Sequence, residues 1–401
     1  MKDRYTILIP AMLDETFALL KCAFASKDTR VMVLYNRKDI INTGLEHVHN
    51  DLCCPGAIMT GQLINALRSG KVDPKNCAFL TAQAGDACRG SNYIPLIRNA
   101  LKKAGYDIPV LSLNFLELEK GSRFRITPSF IFKCTAAVFY SDMLMILKNQ
   151  IQPYEINKGE TAALYEKWQK RFKREIFRGE GLSPFTMIKR FREVSDSFAA
   201  IERSEKKLMK VGFVGELYMK YCAIGNRDML KFFTSRGAEV MLNGFSWYCL
   251  YYIDTHLAET ERLPLYMQAG YMIAGAYFEF IQKSMISEIR RNGFRCFDKF
   301  TQFKKNAEKY IPCTCPTGDG YLIGAEICNF AETGYDRVAC LQPFGCMPNH
   351  ICGRGLYSSI QRRVKNVRLQ SIDFDTSGSD VNIYNRAELL LSPDFRQETI
   401  R

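Results

Sequence analysis

Histidine is scarce in this sequence, with four residues among 401. His47 and His49 lie close together in the chain without a matching cysteine pair. Cys313 and Cys315 are separated by a single residue, whereas common zinc ligands are separated by about two to four. Zinc is therefore the weaker candidate for any metal site in this protein.

Sequence motifs of several protein classes are absent. There is no Walker phosphate loop, and neither Gly318-Asp319-Gly320 nor Gly353-Arg354-Gly355 completes the GxGxxG pattern after a strand. We therefore expect that the chain does not itself bind and hydrolyse ATP. No serine nucleophile elbow is visible, which argues against a hydrolase. No recognised nucleic-acid motif interleaves arginines with aromatics, so we expect no nucleic-acid partner.

Signals for secretion and for a membrane span are also weak. Residues 1–10 contain too short an apolar run for a signal peptide, which predicts a cytoplasmic protein. The best candidate for a membrane span, residues 263–281, is interrupted by Gln268, Glu279 and two glycines. We interpret it as a buried core helix and expect no membrane association.

Positive charge and cysteine, by contrast, are abundant. The net charge of +13 favours an acidic protein or a nucleotide-bearing substrate as partner. A cytoplasmic chain with fifteen cysteines is more often metal-binding or redox-active than disulfide-bonded. The cysteines are dispersed, however, and no compact run of them specifies a cluster by spacing alone.

Strand and helix patterns alternate in two separate parts of the chain. The first part contains predicted strands at residues 5–9, 31–34, 77–81 and 109–113, with helices between them. The second contains predicted strands at residues 211–216, 238–242, 337–341 and 367–374. This alternation predicts an α/β protein with two parallel-sheet halves of the Rossmann or flavodoxin type, joined by a helical segment. The predicted domains are residues 1–128, 129–209 and 210–401.

Three short loops place cysteine beside a predicted strand or helix end, at residues 50–56, 80–93 and 342–350. Open α/β sheets bind ligands beyond the carboxyl ends of their strands, so these loops predict an iron–sulfur site assembled in space. Ordinary buried thiols are the alternative on spacing alone. Backbone N–H groups at Gly85, Gly90 and Gly345 would favour the negative charge of such a cluster.

Three further residues are candidates for the same site. Glu216 ends a predicted strand, which places it at the cleft. His350 follows Cys346 by four residues and is either an acid–base group or a hydrogen-bonding partner behind the site. Arg89 beside Cys88 is either a cation facing a phosphate or cluster, or a surface ion-pair partner.

Six separated segments carry a family resemblance that covers nearly the whole chain. The sequence resembles the D-component fold of the 2-hydroxyacyl-CoA dehydratases. Within that group it is most similar to the C-terminal region of the large proteins related to the acyl-CoA dehydratase activase. The segments are residues 9–12 (Ile-Pro-Ala-Met), 50–55 (Asn-Asp-Leu-Cys-Cys-Pro), 83–93, 212–218, 340–350 and 373–385.

The resemblance implies an oxygen-sensitive iron–sulfur protein. By position, Cys53, Cys88 and Cys346 would be the three ligands of a [4Fe-4S] cluster, or of an [8Fe-9S] double-cubane cluster in a related branch. An ATP-dependent activase would donate one low-potential electron. In the dehydratase relatives that electron makes a ketyl radical from an acyl-CoA thioester, and water is then eliminated. Glu216 and His350 are the candidate catalytic residues.

Two departures from the family bear on this interpretation. Cys54 stands where relatives usually have another residue, and the activase domain that precedes this region in the large proteins is not in this sequence. We therefore expect a separate activase. Because Cys54 precedes Pro55, we expect it to be extended and to point away from the site. Cys54, Cys313, Cys315 and Cys340 are candidates for additional ligands, although Cys340 is more consistent with the core.

The sequence supports two classes of function. The first is an iron–sulfur redox enzyme, a reductase or an acyl-CoA dehydratase-like lyase, that reduces a substrate at the cluster. The second is a non-catalytic electron-carrying or scaffold subunit of a larger complex. In either class we expect a homodimer or a heterodimer.

Overall fold

The computed structural model describes residues 4–49, 51–83, 87–112, 127–258, 264–365, 367–376 and 379–392. The strands of this part of the chain form two four-stranded sheets, and every neighbouring pair of strands is parallel. The prediction of an α/β protein with two parallel-sheet halves is therefore confirmed.

The first sheet has the strand order β2-β1-β3-β4. β3 is buried along its whole length, as expected for a parallel strand that is covered on both faces. The elements of this half are β1 (Tyr5–Pro10), α1 (Asp14–Phe24), β2 (Thr29–Leu34), α2 (Ile40–His47), α3 (Cys54–Arg68), β3 (Cys77–Thr81), α4 (Tyr93–Lys103) and β4 (Val110–Ser112).

Three long helices follow, α5 (Pro128–Ile151), α6 (Glu160–Arg178) and α7 (Pro184–Ala199). The Thr127 and Ser183 hydroxyls accept hydrogen bonds from first-turn N–H groups and so cap α5 and α7, each of which continues with proline. Tyr140 stacks on Phe172 with ring centroids 4.0 Å apart, and both side chains are fully buried. Burial of each such ring contributes about 2–3 kcal/mol to stability.

The second sheet repeats the arrangement of the first, with the order β6-β5-β7-β8. Its elements are β5 (Met209–Gly215), α8 (Leu217–Tyr221), α9 (Met229–Ser235), β6 (Ala238–Leu242), α10 (Phe245–Ala258), α11 (Leu265–Arg291), α12 (Phe300–Glu308), α13 (Gly320–Glu332), β7 (Arg337–Pro343), α14 (Gly355–Arg363), β8 (Arg368–Phe374) and α15 (Val381–Leu391).

Hydrogen bonds join the two halves beside the first strand. The Asp14 carboxylate accepts from the Ala223 N–H at 2.8 Å, and the Cys222 thiol donates to the Ala11 carbonyl at 3.3 Å. Burial raises the pKa of Asp14 to about 6. The loops after β1 and after α8 are thereby held together, so the carboxyl ends of both sheets border the same region.

The prediction of a buried core helix at residues 263–281 is wrong. The described part of this segment is the start of α11, where Leu265 is 81% and Ile273 71% exposed, and burial begins only at Ile281. α11 packs against α5, α7 and α10, and its buried residues lie from Ile281 onward. Among the described residues one helix, α5, is long and apolar enough to span a membrane, and 72% of its most apolar window is buried. That burial is typical of a core helix.

Candidate functional site

Each sheet has a topological switch point at its centre. In the first sheet the chain moves from β1 to β2 on one side and then to β3 on the other, which opens a crevice beyond the carboxyl ends of β1 and β3. The second sheet has the same crevice between β5 and β7. Cys88 follows β3, Glu216 follows β5 and Cys346 follows β7. Three of the predicted site residues therefore stand at switch points.

Cys53 is held at the first turn of α3. It is the N-cap residue, with an extended backbone (φ −61°, ψ 147°). The helix behind it is fixed by close packing, because a Cβ on Gly61 would overlap the carbonyl of Ile40 in α2. The Cys53 sulfur and the Tyr93 hydroxyl are hydrogen-bonded at 2.8 Å. Burial raises the pKa of Cys53, and the hydrogen bond from Tyr93 opposes that rise.

Cys54 does not have the extended backbone that was expected before Pro55. It is the first residue of α3, and the extended residue is Cys53. Proline at the second position of a helix is tolerated because its N–H would have no partner in the helix. The Cys54 side chain is 4% exposed and lies in an apolar cluster with Ile40 and Met59, where burial raises its pKa to about 12.

Cys88 lies at the start of the short 3₁₀ turn Arg89–Asn92, which leads into α4. Its sulfur accepts a hydrogen bond from the Gly90 N–H at 3.3 Å. Arg89 donates to the carbonyl of Asp51 and so ties the second cysteine loop to the first. Gly85, predicted to contribute a further N–H, lies outside the described residues.

Cys346 follows β7 after a turn in which Gly345 has φ 72°. The side-chain amide of Asn349 donates to the Cys346 sulfur at 3.3 Å, and burial and the charge of Glu216 raise the pKa of this thiol. His350 Nδ1 is 2.8 Å from the carbonyl oxygen of Cys346. One ring nitrogen of His350 is thus engaged with the cysteine loop itself.

Glu216 is placed by an unusual end to β5. Gly215 has φ 123°, and a Cβ there would overlap the carbonyl of Leu341 in β7, so only glycine fits. The next N–H, that of Glu216, donates to the same carbonyl at 2.9 Å. The Glu216 carboxylate accepts from the Met219 N–H at 2.9 Å, and burial raises its pKa to about 7.

Glu216 and Tyr93 each interact electrostatically with two of the three cysteines. The charge of Glu216 contributes to the raised pKa of both Cys53 and Cys346, which come from different halves of the chain. Burial raises the pKa of Tyr93 first, and charge on Cys53, Glu216 and Cys88 raises it further. The three thiols are thus linked electrostatically through Glu216 and Tyr93.

A packing contact supports the same convergence. A Cβ built on Gly318 would lie 2.7 Å from Pro348 Cγ and 4.0 Å from Cys88 Cβ. The segment before α13 thus touches both the second and the third cysteine loop. Glycine at position 318, which has φ 56°, allows this close approach.

Buried charges lie behind the cleft. Lys220 Nζ is 2.7 Å from Glu326 Oε1, and both side chains are at most 2% exposed. Asp319, also buried, accepts a hydrogen bond from the Leu217 N–H. Burial, followed by the charge of Glu216, raises the pKa of Asp319 well above its usual range. Because one lysine faces three carboxyl groups here, protonated acids are favoured beside the cysteines.

The described residues do not form a site for a single metal ion. Among the described residues, no three His, Cys, Asp or Glu side chains are grouped closely enough to hold one ion. A cubane binds its thiolates through different irons, so its ligands stand further apart than those of one ion. Each of the three described thiols lies on its own loop and has a hydrogen-bonding partner at its sulfur.

Two residues of the cleft were not identified from the sequence. Tyr93 was assigned only to the second cysteine segment, since the sequence does not indicate that its hydroxyl meets Cys53. Asp319 was considered only as part of a weak phosphate loop. The two glycines beside Asp319 were the sequence feature that could have identified it, because Gly318 and Gly320 both have positive φ and mark a constrained turn. Neither a scan against protein-family models nor a search of curated proteins finds a match for this chain.

Proposed function

We propose that this chain is a cytoplasmic iron–sulfur redox protein of the 2-hydroxyacyl-CoA dehydratase type, with Cys53, Cys88 and Cys346 as the cluster ligands. The observation that carries the proposal is the placement of these three thiols, on three loops from two halves, around Glu216 and Tyr93. Cysteine thiolates are the usual ligands of iron–sulfur clusters, and hydrogen bonds to their sulfurs tune the reduction potential.

The donor set favours a single [4Fe-4S] cluster with one iron free of protein thiolate. Cys54 and Cys340 do not add to this set, because both are buried among apolar side chains. Hydrogen bonds from Tyr93, Gly90 and Asn349 would each favour the thiolate form of one ligand. The resident cluster would supply one-electron chemistry, with the electron coming from a separate ATP-dependent activase.

Glu216 and Asp319 are the chain's own groups for proton movement. A carboxyl group with a pKa of about 7 both holds and releases a proton near neutral pH, which suits a general acid–base role. Asp319, whose pKa burial raises well above its usual range, would remain protonated and donate a hydrogen bond. His350 keeps Nδ1 on the Cys346 carbonyl and so positions the third cysteine loop. An acyl-CoA thioester is the substrate class that the resemblance implies.

Anaerobic purification with iron and sulfide counting, followed by EPR of the reduced protein, tests the proposal. We expect about four irons and four sulfides per chain. The Cys53→Ser, Cys88→Ser and Cys346→Ser variants should lose the brown colour and the EPR signal. Cys54→Ser and Cys340→Ser are matched controls from neighbouring positions and should retain both.

Absence of iron in the anaerobically purified protein would contradict the proposal. Retention of the cluster in all three ligand variants would contradict the residue assignment. A cluster that forms but is unaffected by added acyl-CoA, in EPR and in electronic absorption, would favour the electron-carrying subunit over the enzyme.

A further inference from the structure

Two cysteines outside the proposed ligand set have their sulfurs in contact. The Sγ atoms of Cys315 and Cys352 are 3.2 Å apart, and both residues are free thiols. Cys315 is half-buried in the segment before α13, whereas Cys352 is 4% exposed in the π-helical turn Asn349–Arg354. The S–S bond of a disulfide is about 2.05 Å long, so the sulfurs need to approach by only about 1 Å.

Both segments that carry these thiols border the cysteine cleft. The Cys315 segment leads to Gly318, which packs against Pro348 in the third cysteine loop. The Tyr251 hydroxyl donates to two carbonyl groups of this segment, at 2.9 and 3.0 Å, and holds it in place. Cys352 lies on the turn Asn349–Arg354, which includes His350 and begins three residues after Cys346. A covalent link between the thiols would therefore join two walls of the cleft.

We propose that Cys315 and Cys352 are a redox-active dithiol, and that their oxidation to a disulfide fastens the segment before α13 to the turn after Cys346. The oxidant is a disulfide of the glutathione class. The inference stands on the contact between the sulfurs and on the position of the two segments. It does not depend on whether the chain binds a cluster.

The reaction is two successive thiol–disulfide exchanges. The Cys315 thiolate attacks one sulfur of the oxidant, which forms a mixed disulfide and releases one thiolate. Cys352 then loses its proton and displaces the second thiolate, which closes the protein disulfide. The oxidant's S–S bond takes up the two electrons, and the two protons of the cysteine thiols end on the two released thiols.

The exposure of Cys315 and the raised pKa of Cys352 indicate that Cys315 reacts first. Cys315 retains exposed surface, so a dissolved disulfide reaches it first. Burial and the hydrogen bond with Cys315 raise the pKa of Cys352 to about 12, which keeps it a neutral thiol until it resolves the mixed disulfide. Cys313, two residues before Cys315, is buried in the apolar core, and the thiol that interacts with it there is that of Cys328.

The test is to equilibrate the full-length protein anaerobically in buffers of increasing ratio of oxidised to reduced glutathione. Acid quenching, alkylation with N-ethylmaleimide, intact mass and peptide mapping follow. We expect the loss of two alkylated thiols and a cross-linked peptide that contains Cys315 and Cys352. Cys352→Ser should accumulate a glutathione adduct on Cys315, because the resolving thiol is gone. Cys313→Ser should form the disulfide as the wild type does.

Iron is measured on the same samples, so that this inference and the proposed function can fail separately. Full alkylation of both thiols at every glutathione ratio overturns the dithiol assignment. Pairing of either cysteine with a different residue overturns it as well. If the two thiols oxidise only after iron is removed by a chelator, they are metal ligands rather than a redox pair. These measurements on the wild-type protein decide the matter even if a variant fails to fold.

Discussion

Single residues in the cleft have pKa values that follow from burial, and Glu216 shows this most directly. Burial raises the pKa of its carboxyl group to about 7 in the folded chain, against about 4.3 in an unfolded chain. The folded state therefore binds the proton more tightly. Stability from this residue is fully present below the unfolded pKa and is lost as the pH rises through the folded pKa.

Glu216→Gln should remove this loss of stability at higher pH, because the amide resembles the protonated acid and still accepts a hydrogen bond from the Met219 N–H. The variant should match the wild type near pH 4.5 and exceed it at pH 7.5 by on the order of 2 kcal/mol, after allowance for solvent screening. Urea denaturation across this pH range measures the difference. Glu202→Gln, at an exposed position, is the control and should leave the pH dependence unchanged.

Tyr93 should control the reactivity of Cys53. Its hydroxyl lowers the pKa of that thiol, so Tyr93→Phe should raise the pKa and slow alkylation of Cys53 in the metal-free protein. A hydrogen bond worth about 1 kcal/mol predicts a rate reduction of about three- to fivefold. Site-resolved mass spectrometry of iodoacetamide labelling reports it. Tyr140→Phe, whose hydroxyl bonds Gly181 in the helical segment, should not alter the rate.

At the scale of elements, the sequence predicts the positions of the strands well because buried parallel strands are short apolar runs between glycine- and proline-bearing turns. β3 and β6 agree with the predicted residues to within one position. The exposure of the first turns of α11 could not be predicted in this way. Its apolar side chains match a core helix in composition, but only tertiary packing decides which turns reach α5 and α7.

The site is predictable to a similar extent. The sequence places the cysteines on loops at the correct ends of elements, because turn residues and strand ends are local features. Their convergence depends on contacts between distant segments, such as Gly318 against Pro348 and Cys88. The pairing of Cys315 with Cys352 depends on a π-helical turn, which has no reliable local signal.

The packing of α2 on α3 provides a test at this scale. Gly61→Ala places a methyl group against the Ile40 carbonyl, so the helices must separate at a cost of about 1–3 kcal/mol. Gly270→Ala is the matched change in the exposed part of α11, where nothing lies within 4 Å of the added Cβ. It should stabilise the protein by up to about 1 kcal/mol through helix propensity. Equal effects in urea denaturation would contradict the packing argument.

For the whole molecule, the net charge of +13 should govern association with anionic partners. Exposed charges are screened beyond about 10 Å at roughly 0.1 M salt. Under the proposed function, binding of coenzyme A esters, measured by calorimetry, should therefore weaken steadily as salt is raised from about 0.05 to 0.3 M. A pantetheine ester without the nucleotide phosphates is the control and should show little dependence. If binding of the coenzyme A ester does not depend on salt, the positive charge contributes to solubility and not to binding.

The repeated strand order has a consequence for how this molecule could be divided. Cutting the chain between its two sheets would leave Cys53 and Cys88 on one fragment and Cys346 on the other. Neither fragment alone would contain all three proposed ligand cysteines, so the proposed site would require both fragments. Mixing the two fragments therefore tests whether the two halves assemble. Assembly should restore the hydrogen bond between Asp14 and the Ala223 N–H and, at the same time, bring the three proposed ligand thiols together.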